Sequence, residues 1–304
     1  MIPIGSHPVW HPVMETLAYA VGFAVYRSIR ARQGDIVAEP QRWTVLAAAA
    51  VGALVGSRVL GLAEQWPTVT EAWRTGRTLE LLLSPGGKTI VGGLLGGWLG
   101  VEIAKKLSGI TRRTGDLFAL PLCVGIAVGR VGCLLAGLAD DTYGKPTGLP
   151  WAVNLGDGIG RHPVQVYEIV FLALLAWVVS SVPVARSVSG HDFIRTRNVT
   201  EQSVTQLSKE KYAQEPITEG SVTGHDFSRA EAVRKQSRAL APEGARFRIF
   251  LESYLAWRLV IDFLKPQPLM DGLNLIQWSC LAGIVLLILD EVRAWKGKHE
   301  ALRA

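Results

Sequence analysis

The chain has 304 residues, of which 49% are hydrophobic and 19% are charged, and its mean hydropathy is +0.24. Soluble domains carry about 25% charged residues, so this composition argues against a soluble protein and predicts a membrane protein with one large polar insert. The formal net charge of +6 does not indicate nucleic-acid binding, because the basic residues lie mainly in short loops between apolar spans.

Seven apolar spans follow one another along the chain. They cover residues 12–26, 43–62, 89–104, 117–138, 164–184, 247–264 and 273–289. The basic loops alternate so that they fall on one side of a membrane, at residues 27–42, 105–113, 185–248 and 293–303. Because basic loops stay in the cytoplasm, we predict an all-α membrane protein with about seven transmembrane helices, an external N-terminus and a cytoplasmic C-terminus.

The spans divide the chain into three predicted parts. Residues 1–184 contain the first five helices and two external loops, at 63–87 and 139–163. Residues 185–246 form a polar insert without helical periodicity, which we expect to be disordered and cytoplasmic. Residues 247–304 contain the last two helices and a basic tail.

The polar insert contains an internal repeat, since SVSGHDFIR at Ser187–Arg195 returns as SVTGHDFSR at Ser221–Arg229. The histidine and aspartate of each copy are potential metal ligands, but duplication explains both pairs without metal chemistry. Cys123, Cys133 and Cys280 are scattered through apolar segments and show no metal-ligand spacing. The sequence therefore predicts no metal site, no disulfide framework and no cofactor.

Glycines recur at intervals of four in two of the spans. The second span has Gly52 and Gly56, and the third has Gly92, Gly96 and Gly100. This spacing leaves one face of each helix almost without side chains, so we expect helix backbones to approach closely there.

Arg130 lies inside the apolar fourth span, where a charge that faces lipid at mid-bilayer costs about 2.5 to 3.5 kcal/mol. This cost is avoided when the side chain faces a protein interior or a cleft that holds an anion, or when it reaches the membrane interface from a helix end. Several other polar residues in or beside apolar spans favour the interior: Glu15, Arg58, Glu168, Tyr254, Arg258 and Asp262.

The sixth span carries polar residues at every fourth position, Tyr254, Arg258 and Asp262, which therefore share one helix face. Arg258 and Asp262 form an intrahelical ion pair in one interpretation. In the other, Arg258 shares a cavity with Arg130, and the two guanidinium groups bind one phosphate through bidentate hydrogen bonds.

Five segments along the chain together resemble one enzyme family. They are GGKTIVGGLLG (Gly86–Gly96), VGRVG (Val128–Gly132), YGKPT (Tyr143–Thr147), RHPVQVYE (Arg161–Glu168) and YLAWRLVIDF (Tyr254–Phe263). Their order resembles that of the prolipoprotein diacylglyceryl transferases. The resemblance implies a multi-pass enzyme of the bacterial inner membrane that moves a diacylglyceryl group from phosphatidylglycerol to the lipobox cysteine thiol of a prolipoprotein, releasing glycerol phosphate. Its implied partners are phosphatidylglycerol, prolipoproteins and membrane lipid.

The resemblance also implies roles for individual residues. Arg130 matches the arginine of the family signature, and Tyr254 and Arg258 match an essential tyrosine and arginine, so these three are expected to be catalytic. The residues expected to bind substrate are Gly92, Gly93, Arg58, Gly144, His162, Gln165 and Glu168.

The chain departs from the family pattern at four positions. Val91 replaces the histidine before the paired glycines, Cys133 and Ala136 replace two asparagines of the signature, and Glu15 stands where the first span has a tyrosine. Without that histidine, Glu15 is a candidate catalytic base, although a carboxylate near two arginines also fits a structural counter-ion. Cys133 is either a reactive thiol or a small core residue, and the sequence favours the second interpretation.

Two other functions remain open from the sequence. One is a protein that binds or moves anionic phospholipid, which would keep the pair of arginines but would not catalyse diacylglyceryl transfer. The changes at Val91 and Cys133 favour this function. A small-solute transporter would use the intramembrane charges as an ion path, but the apolar spans contain no repeated halves.

Overall fold

The computed structural model describes residues 2–183 and 242–301, except positions 5–6, 36, 38, 84–86, 141 and 268. The internal repeat lies outside the described residues. So does the insert that we expect to be disordered, apart from its positions 242–246. Within that part the chain is mostly helical. Its α-helices are α1 (Trp10–Gln33), α2 (Glu39–Glu64), α3 (Trp66–Arg74), α4 (Thr78–Leu83), α5 (Ile90–Leu107), α6 (Asp116–Ala136), α7 (Val164–Ser181), α8 (Ala245–Ile261) and α9 (Leu275–Ala301).

The seven long helices in the described ranges coincide with the seven predicted spans. Four stretches are long and apolar enough to cross a membrane, at Pro40–Glu64, Asp116–Ala139, Val164–Ser181 and Leu275–Lys296. The remaining long helices, α1, α5 and α8, carry more charge; α5, for example, ends in a segment with Glu102, Lys105 and Lys106. The structure thus supports a helical protein with four membrane-spanning candidates.

The helices α2 and α5 pack backbone to backbone through the glycines that the sequence singled out. A Cβ atom on Gly52 would collide with the carbonyl oxygen of Gly96, and one on Gly56 would collide with that of Gly92. Thr89 precedes α5, and its hydroxyl accepts a hydrogen bond from the backbone N–H of Gly92 at 3.2 Å, which caps the helix. The predicted close approach is therefore confirmed.

A small sheet lies at one end of the helices, and we call this end the sheet end. Strand β1 (Ile2–Pro3) pairs in parallel with β2 (Val153–Asn154), which pairs antiparallel with β3 (Gly160–Arg161). In the loop from 139 to 163 a turn forms at Asn154, whose side-chain oxygen accepts hydrogen bonds from the N–H groups of Gly156 and Gly158. The strands themselves were not predicted.

The opposite end of the helices carries most of the basic residues, and we call it the basic end. There α1 ends with Arg30 and Arg32, and α5 ends with Lys105 and Lys106. Between the two ends, a core of fully buried side chains joins α5 to α9. Its members include Val91, Leu172, Phe250, Leu251, Tyr254, Leu255 and Cys280.

Candidate active site

Arg130 lies on α6, six residues before the helix ends, and its side chain is buried at 4% relative exposure. Its Nε atom is 2.8 Å from Oε2 of Glu168, a buried residue on α7. Arg130 therefore faces the protein interior and a carboxylate, as the first of the two sequence interpretations expects.

Two further side chains from α8 converge on the same carboxylate. The Tyr254 hydroxyl donates a hydrogen bond to Oε1 of Glu168 at 2.6 Å. Nη1 of Arg258 lies 3.8 Å from Oε2, the oxygen that Arg130 also approaches. Glu168 thus brings Arg130 of α6 together with Tyr254 and Arg258 of α8, and the four side chains are nearly excluded from solvent.

Arg258 also makes the intrahelical ion pair that the alternative interpretation expects. Its Nη2 is 2.9 Å from Oδ1 of Asp262, and the same oxygen is 2.9 Å from Nζ of Lys265. The two interpretations of Arg258 are therefore compatible. We call the six residues the Glu168 cluster: Arg130, Glu168, Tyr254, Arg258, Asp262 and Lys265. Lys265 was not predicted, although its position three residues after Asp262 was a signal for it.

The loop after α6 ties the start of α7 to the end of α8. A Cβ atom on Gly144 would collide with the backbone oxygen of His162, so only glycine permits this approach. The Lys145 N–H donates to the carbonyl of Leu264 at 2.7 Å, and the His162 N–H donates to the carbonyl of Lys145 at 3.1 Å. Gln165, buried in the first turn of α7, donates to the carbonyl of Thr142 at 3.4 Å. Gly144, His162 and Gln165 thus hold the segments that carry Glu168 and Lys265.

Four other predicted site residues lie in different surroundings. Glu15 pairs with Lys88 at 2.7 Å, and Arg58 donates to the backbone carbonyl of Leu82. Gly92 packs against α2, whereas Gly93 borders a cavity of about 370 Å³ between α2, α5 and α6. The structure therefore separates these residues into a surface ion pair, a loop contact, a helix contact and a cavity wall.

That cavity has an apolar wall and a charged mouth. Gly97, Trp98 and Leu122 line its apolar side, and the charged side chains towards the basic end are of both signs: Glu102, Lys105, Arg113, Arg248 and Asp290. The apolar side suits an elongated apolar group.

Three side chains of metal-ligand type meet at the sheet end, next to Arg130. The ligand atoms of His11, Cys133 and Asp140 all lie within 4.8 Å of one another. Nδ1 of His11 is 3.4 Å from Oδ2 of Asp140 and 4.0 Å from Sγ of Cys133. Nη1 of Arg130 donates to that sulfur at 3.6 Å. We call these three residues the His11 group.

His11 precedes the first predicted span and Asp140 follows α6, so both lie outside the spans. The contact with Asp140 raises the pKa of His11 to about 10, and the contact with Cys133 adds to this effect. Burial raises the pKa of Asp140, but the hydrogen bonds with His11 and Cys133 outweigh it and leave that pKa below its ordinary value. Without a bound ion, the group therefore holds a protonated imidazole beside a carboxylate.

Val91, where the sequence resemblance implies a histidine, is a buried aliphatic side chain. It is 1% exposed and belongs to the same core as Tyr254. Valine cannot exchange a proton, so this position does not supply a catalytic base.

Comparison with known proteins identifies the family of the chain. The sequence model of the family described as "Prolipoprotein diacylglyceryl transferase" matches residues 1–194. A phosphatidylglycerol–prolipoprotein diacylglyceryl transferase of Polynucleobacter asymbioticus is 31% identical over 198 residues, which cover 60% of this chain and 72% of the relative. Proteins of the same name are 30% identical over 203 residues in Bordetella parapertussis, covering 62% of this chain and 72% of the relative, and 29% identical over 177 residues in Geobacter sulfurreducens, covering 55% and 65%.

Tyr254 and Arg258 lie beyond the residues that the family model matches, and the structure brings both to Glu168, which lies within them. The matched region contains Arg130 and makes up more than half of the 304 residues. The chain belongs to the prolipoprotein diacylglyceryl transferase family.

Proposed function

We propose that this protein transfers a diacylglyceryl group from phosphatidylglycerol to the lipobox cysteine thiol of a prolipoprotein. In this reaction the thiol sulfur attacks the glyceryl carbon that bears the phosphate. A carbon–sulfur bond forms, the carbon–oxygen bond breaks, and glycerol phosphate leaves with the electron pair. The reaction needs a cationic site for the phosphate and an acceptor for the thiol proton.

The observation that carries the proposal is the convergence of Arg130 and Arg258 on one carboxylate oxygen. Their nitrogen atoms lie 2.8 and 3.8 Å from Oε2 of Glu168, so both guanidinium groups are within reach of a single phosphate. The Glu168 cluster contains three cations, Arg130, Arg258 and Lys265, and two carboxylates. An anionic lipid phosphate supplies the further negative charge that such a buried cluster favours.

Glu168 and Tyr254 act as positioning residues in this proposal. The carboxylate holds both guanidinium groups in place before the lipid arrives, and the tyrosine hydroxyl fixes the carboxylate through its 2.6 Å hydrogen bond. Catalysis by fixed charges gains from such preorganisation, because little rearrangement is needed as negative charge develops on the leaving phosphate.

The site has to accommodate the acyl chains of the lipid and to have a defined orientation in the membrane. We assign one acyl chain to the cavity of about 370 Å³, whose walls include Gly93 and Trp98. We further propose that all seven long helices cross the bacterial inner membrane, with the sheet end outside and the basic end in the cytoplasm. The Glu168 cluster then lies nearer the external side, where the sheet and its loops lie.

Glu15 remains the proposed proton acceptor. It lies one helical turn after His11 on the same face of α1, and its contacts are the ion pair with Lys88 and a 3.3 Å hydrogen bond from Tyr19. Its side chain is 30% exposed, so it can pass a proton on to water.

The test is transfer of labelled diacylglycerol from phosphatidylglycerol to a lipobox-cysteine peptide by the purified protein. We expect Arg130→Ala and Arg258→Ala to lower transfer by roughly 100-fold or more, because each removes a donor from the developing phosphate charge. Arg74→Ala, at an exposed position on α3, is the matched control and should leave transfer unchanged. Full transfer by either site variant would overturn the proposal, as would lipid binding without any transfer by the parent protein.

A further inference from the structure

The His11 group combines three different metal ligands that come from three separate segments. His11 lies in the first turn of α1, Cys133 lies in the last turn of α6, and Asp140 follows the short 3-10 helix at Gly137–Ala139. Imidazole, thiolate and carboxylate together are a ligand set that zinc accepts, whereas calcium and magnesium prefer oxygen atoms alone. The chemistry of the group therefore selects a transition metal.

The spacing of the three atoms is close to that of a zinc site. Zinc bonds of about 2.0 to 2.3 Å place neighbouring tetrahedral ligands roughly 3.3 to 3.7 Å apart. The His11–Asp140 distance of 3.4 Å already fits, and the His11–Cys133 distance of 4.0 Å needs only a small side-chain movement. The His11 side chain is 43% exposed while that of Asp140 is 10% exposed, so the group is accessible from one side.

We propose that His11, Cys133 and Asp140 bind one zinc ion and leave its fourth position open for the thiol of the acceptor cysteine. Three protein ligands and one open position are the usual composition of a catalytic zinc site. The role in thiol activation rests on the proposed function, whereas the binding of zinc can be tested without it.

The location of the group matches the chemistry that the transfer needs. A thiol that coordinates zinc loses its proton and becomes a thiolate, the reactive form of the nucleophile. Arg130 contacts both Cys133 and Glu168, so a phosphate held by Arg130 would lie next to the zinc-bound sulfur. The sulfur then forms its bond to the glyceryl carbon, the carbon–oxygen bond breaks towards the phosphate, and the thiol proton passes to Glu15 or water.

The proposal also connects two departures from the family pattern. Val91 removes the histidine, and Cys133 introduces a thiol at a signature position beside Arg130. Metal activation of the acceptor thiol would replace the lost base. The hydrogen bond from Arg130 to the Cys133 sulfur is the kind of outer contact that orients a metal ligand and stabilises its charge.

Metal content of the purified full-length protein tests the site directly. After incubation with zinc and removal of free metal, we expect about one zinc ion per chain, and a large loss of zinc in His11→Ala, Cys133→Ala and Asp140→Asn. Cys123→Ala and His7→Ala are matched controls, since Cys123 is a buried thiol in the core and His7 lies just before α1; both should keep the metal. Zinc-free parent protein, or equal zinc in all variants, would overturn the site.

Cobalt substitution in the parent protein tests the proposed zinc site even if one of the variants does not fold. Cobalt in the parent protein should show the near-ultraviolet absorption of a cobalt–thiolate bond, and this band should disappear in Cys133→Ser and persist in Cys123→Ala. A cobalt spectrum without the thiolate band would exclude Cys133 as a ligand and would overturn the three-residue site.

Transfer measurements distinguish an error in the zinc proposal from an error in the proposed function. We expect a chelator to lower transfer at least about 10-fold and added zinc to restore it. Undiminished transfer by protein shown to be free of zinc would overturn the zinc proposal and leave the function intact. Zinc binding without transfer under any condition would overturn the function, and with it thiol activation, but not the site.

Discussion

Two groups that each place two arginines on one carboxylate lie towards opposite ends of the helices. In the Glu168 cluster, Arg130 and Arg258 flank one carboxylate. At the basic end, Arg30 and Arg42 flank Asp35: Nε of Arg30 is 3.0 Å and Nε of Arg42 is 2.7 Å from the same Asp35 oxygen. We call this second group the Asp35 cluster. Like the Glu168 cluster, it places two guanidinium groups on one carboxylate.

The two clusters differ in the exposure of their arginines and in the segment that carries the shared carboxylate. Asp35 lies in the loop between α1 and α2 and also accepts a hydrogen bond from the Val37 N–H at 3.1 Å, so it fixes the loop. Arg30 lies in the last turn of α1, where the helix dipole stabilises a cation and where 26% of the side chain is exposed. Both arginines of the Glu168 cluster are nearly fully buried, although Arg258, like Arg30, lies in the last turn of its helix. The burial of both guanidinium groups, rather than the arginine–carboxylate group itself, is therefore the feature that distinguishes the Glu168 cluster.

The largest expected difference between the clusters is in transfer activity. Arg130→Lys keeps a positive charge but removes the planar donor geometry, so we expect transfer to fall by roughly 100-fold. Arg42→Lys makes the same change in the Asp35 cluster and should leave the activity per folded molecule within about 3-fold of the parent, because it is remote from phosphate chemistry. Kinetics on the lipobox peptide measure both. A similar loss in the two variants would remove the functional distinction between the clusters.

The sequence predicted the helices well because their signal is local. The second span, predicted at residues 43–62, is α2 at Glu39–Glu64, and the fifth, at 164–184, is α7 at Val164–Ser181. Apolar stretches of this length are readable in a single window. The two-residue strands are too short to show an alternating pattern, and β1 finds its partner about 150 residues later at Val153.

The active-site residues were predictable only where a polar group interrupts an apolar span. Arg130 and Arg258 have this signal, and the structure brings both to Glu168, while the hypothesis that they bind one phosphate stays a prediction. His11 and Cys133 are 122 residues apart, and a metal site can be predicted from sequence only when its ligands are closely spaced, so their meeting could not be predicted. Only the packing of α1 against α6 brings them together; a Cβ atom on Gly132 would lie 2.6 Å from Cβ of Met14.

Removal of the carboxylate should separate the clusters in stability as well as in activity. Glu168→Gln leaves Arg130 and Arg258 without their shared buried counter-ion, which costs about 3 to 5 kcal/mol by comparison with other buried ion pairs. We expect a clear fall in the thermal unfolding temperature in detergent together with a loss of transfer. Asp35→Asn should lower the unfolding temperature less and leave transfer by the folded protein unchanged. A loss of transfer in folded Asp35→Asn would show that both ends contribute to the reaction.

The smallest expected effect is the pH dependence that Asp35 contributes. Burial raises the pKa of Asp35, but hydrogen bonds from Arg42 and the Val37 N–H, with the charges of both arginines, lower it below its ordinary value. Because the folded-state pKa is lower than the unfolded value of about 3.9, the ionised carboxylate stabilises the fold above that pH. The stabilisation is lost as the pH falls from about 4 towards the folded-state pKa.

The difference in unfolding temperature between the parent and Asp35→Asn measures this contribution. It should stay constant from pH 7 to about pH 5 and shrink as the pH falls below about 4, because protonation makes the parent resemble the variant. A difference that stays constant down to pH 3 would mean that Asp35 stabilises the loop through contacts that do not depend on its charge. The Asp35 cluster would then resemble the Glu168 cluster in the geometry of its side chains but not in the contribution of its charges to stability.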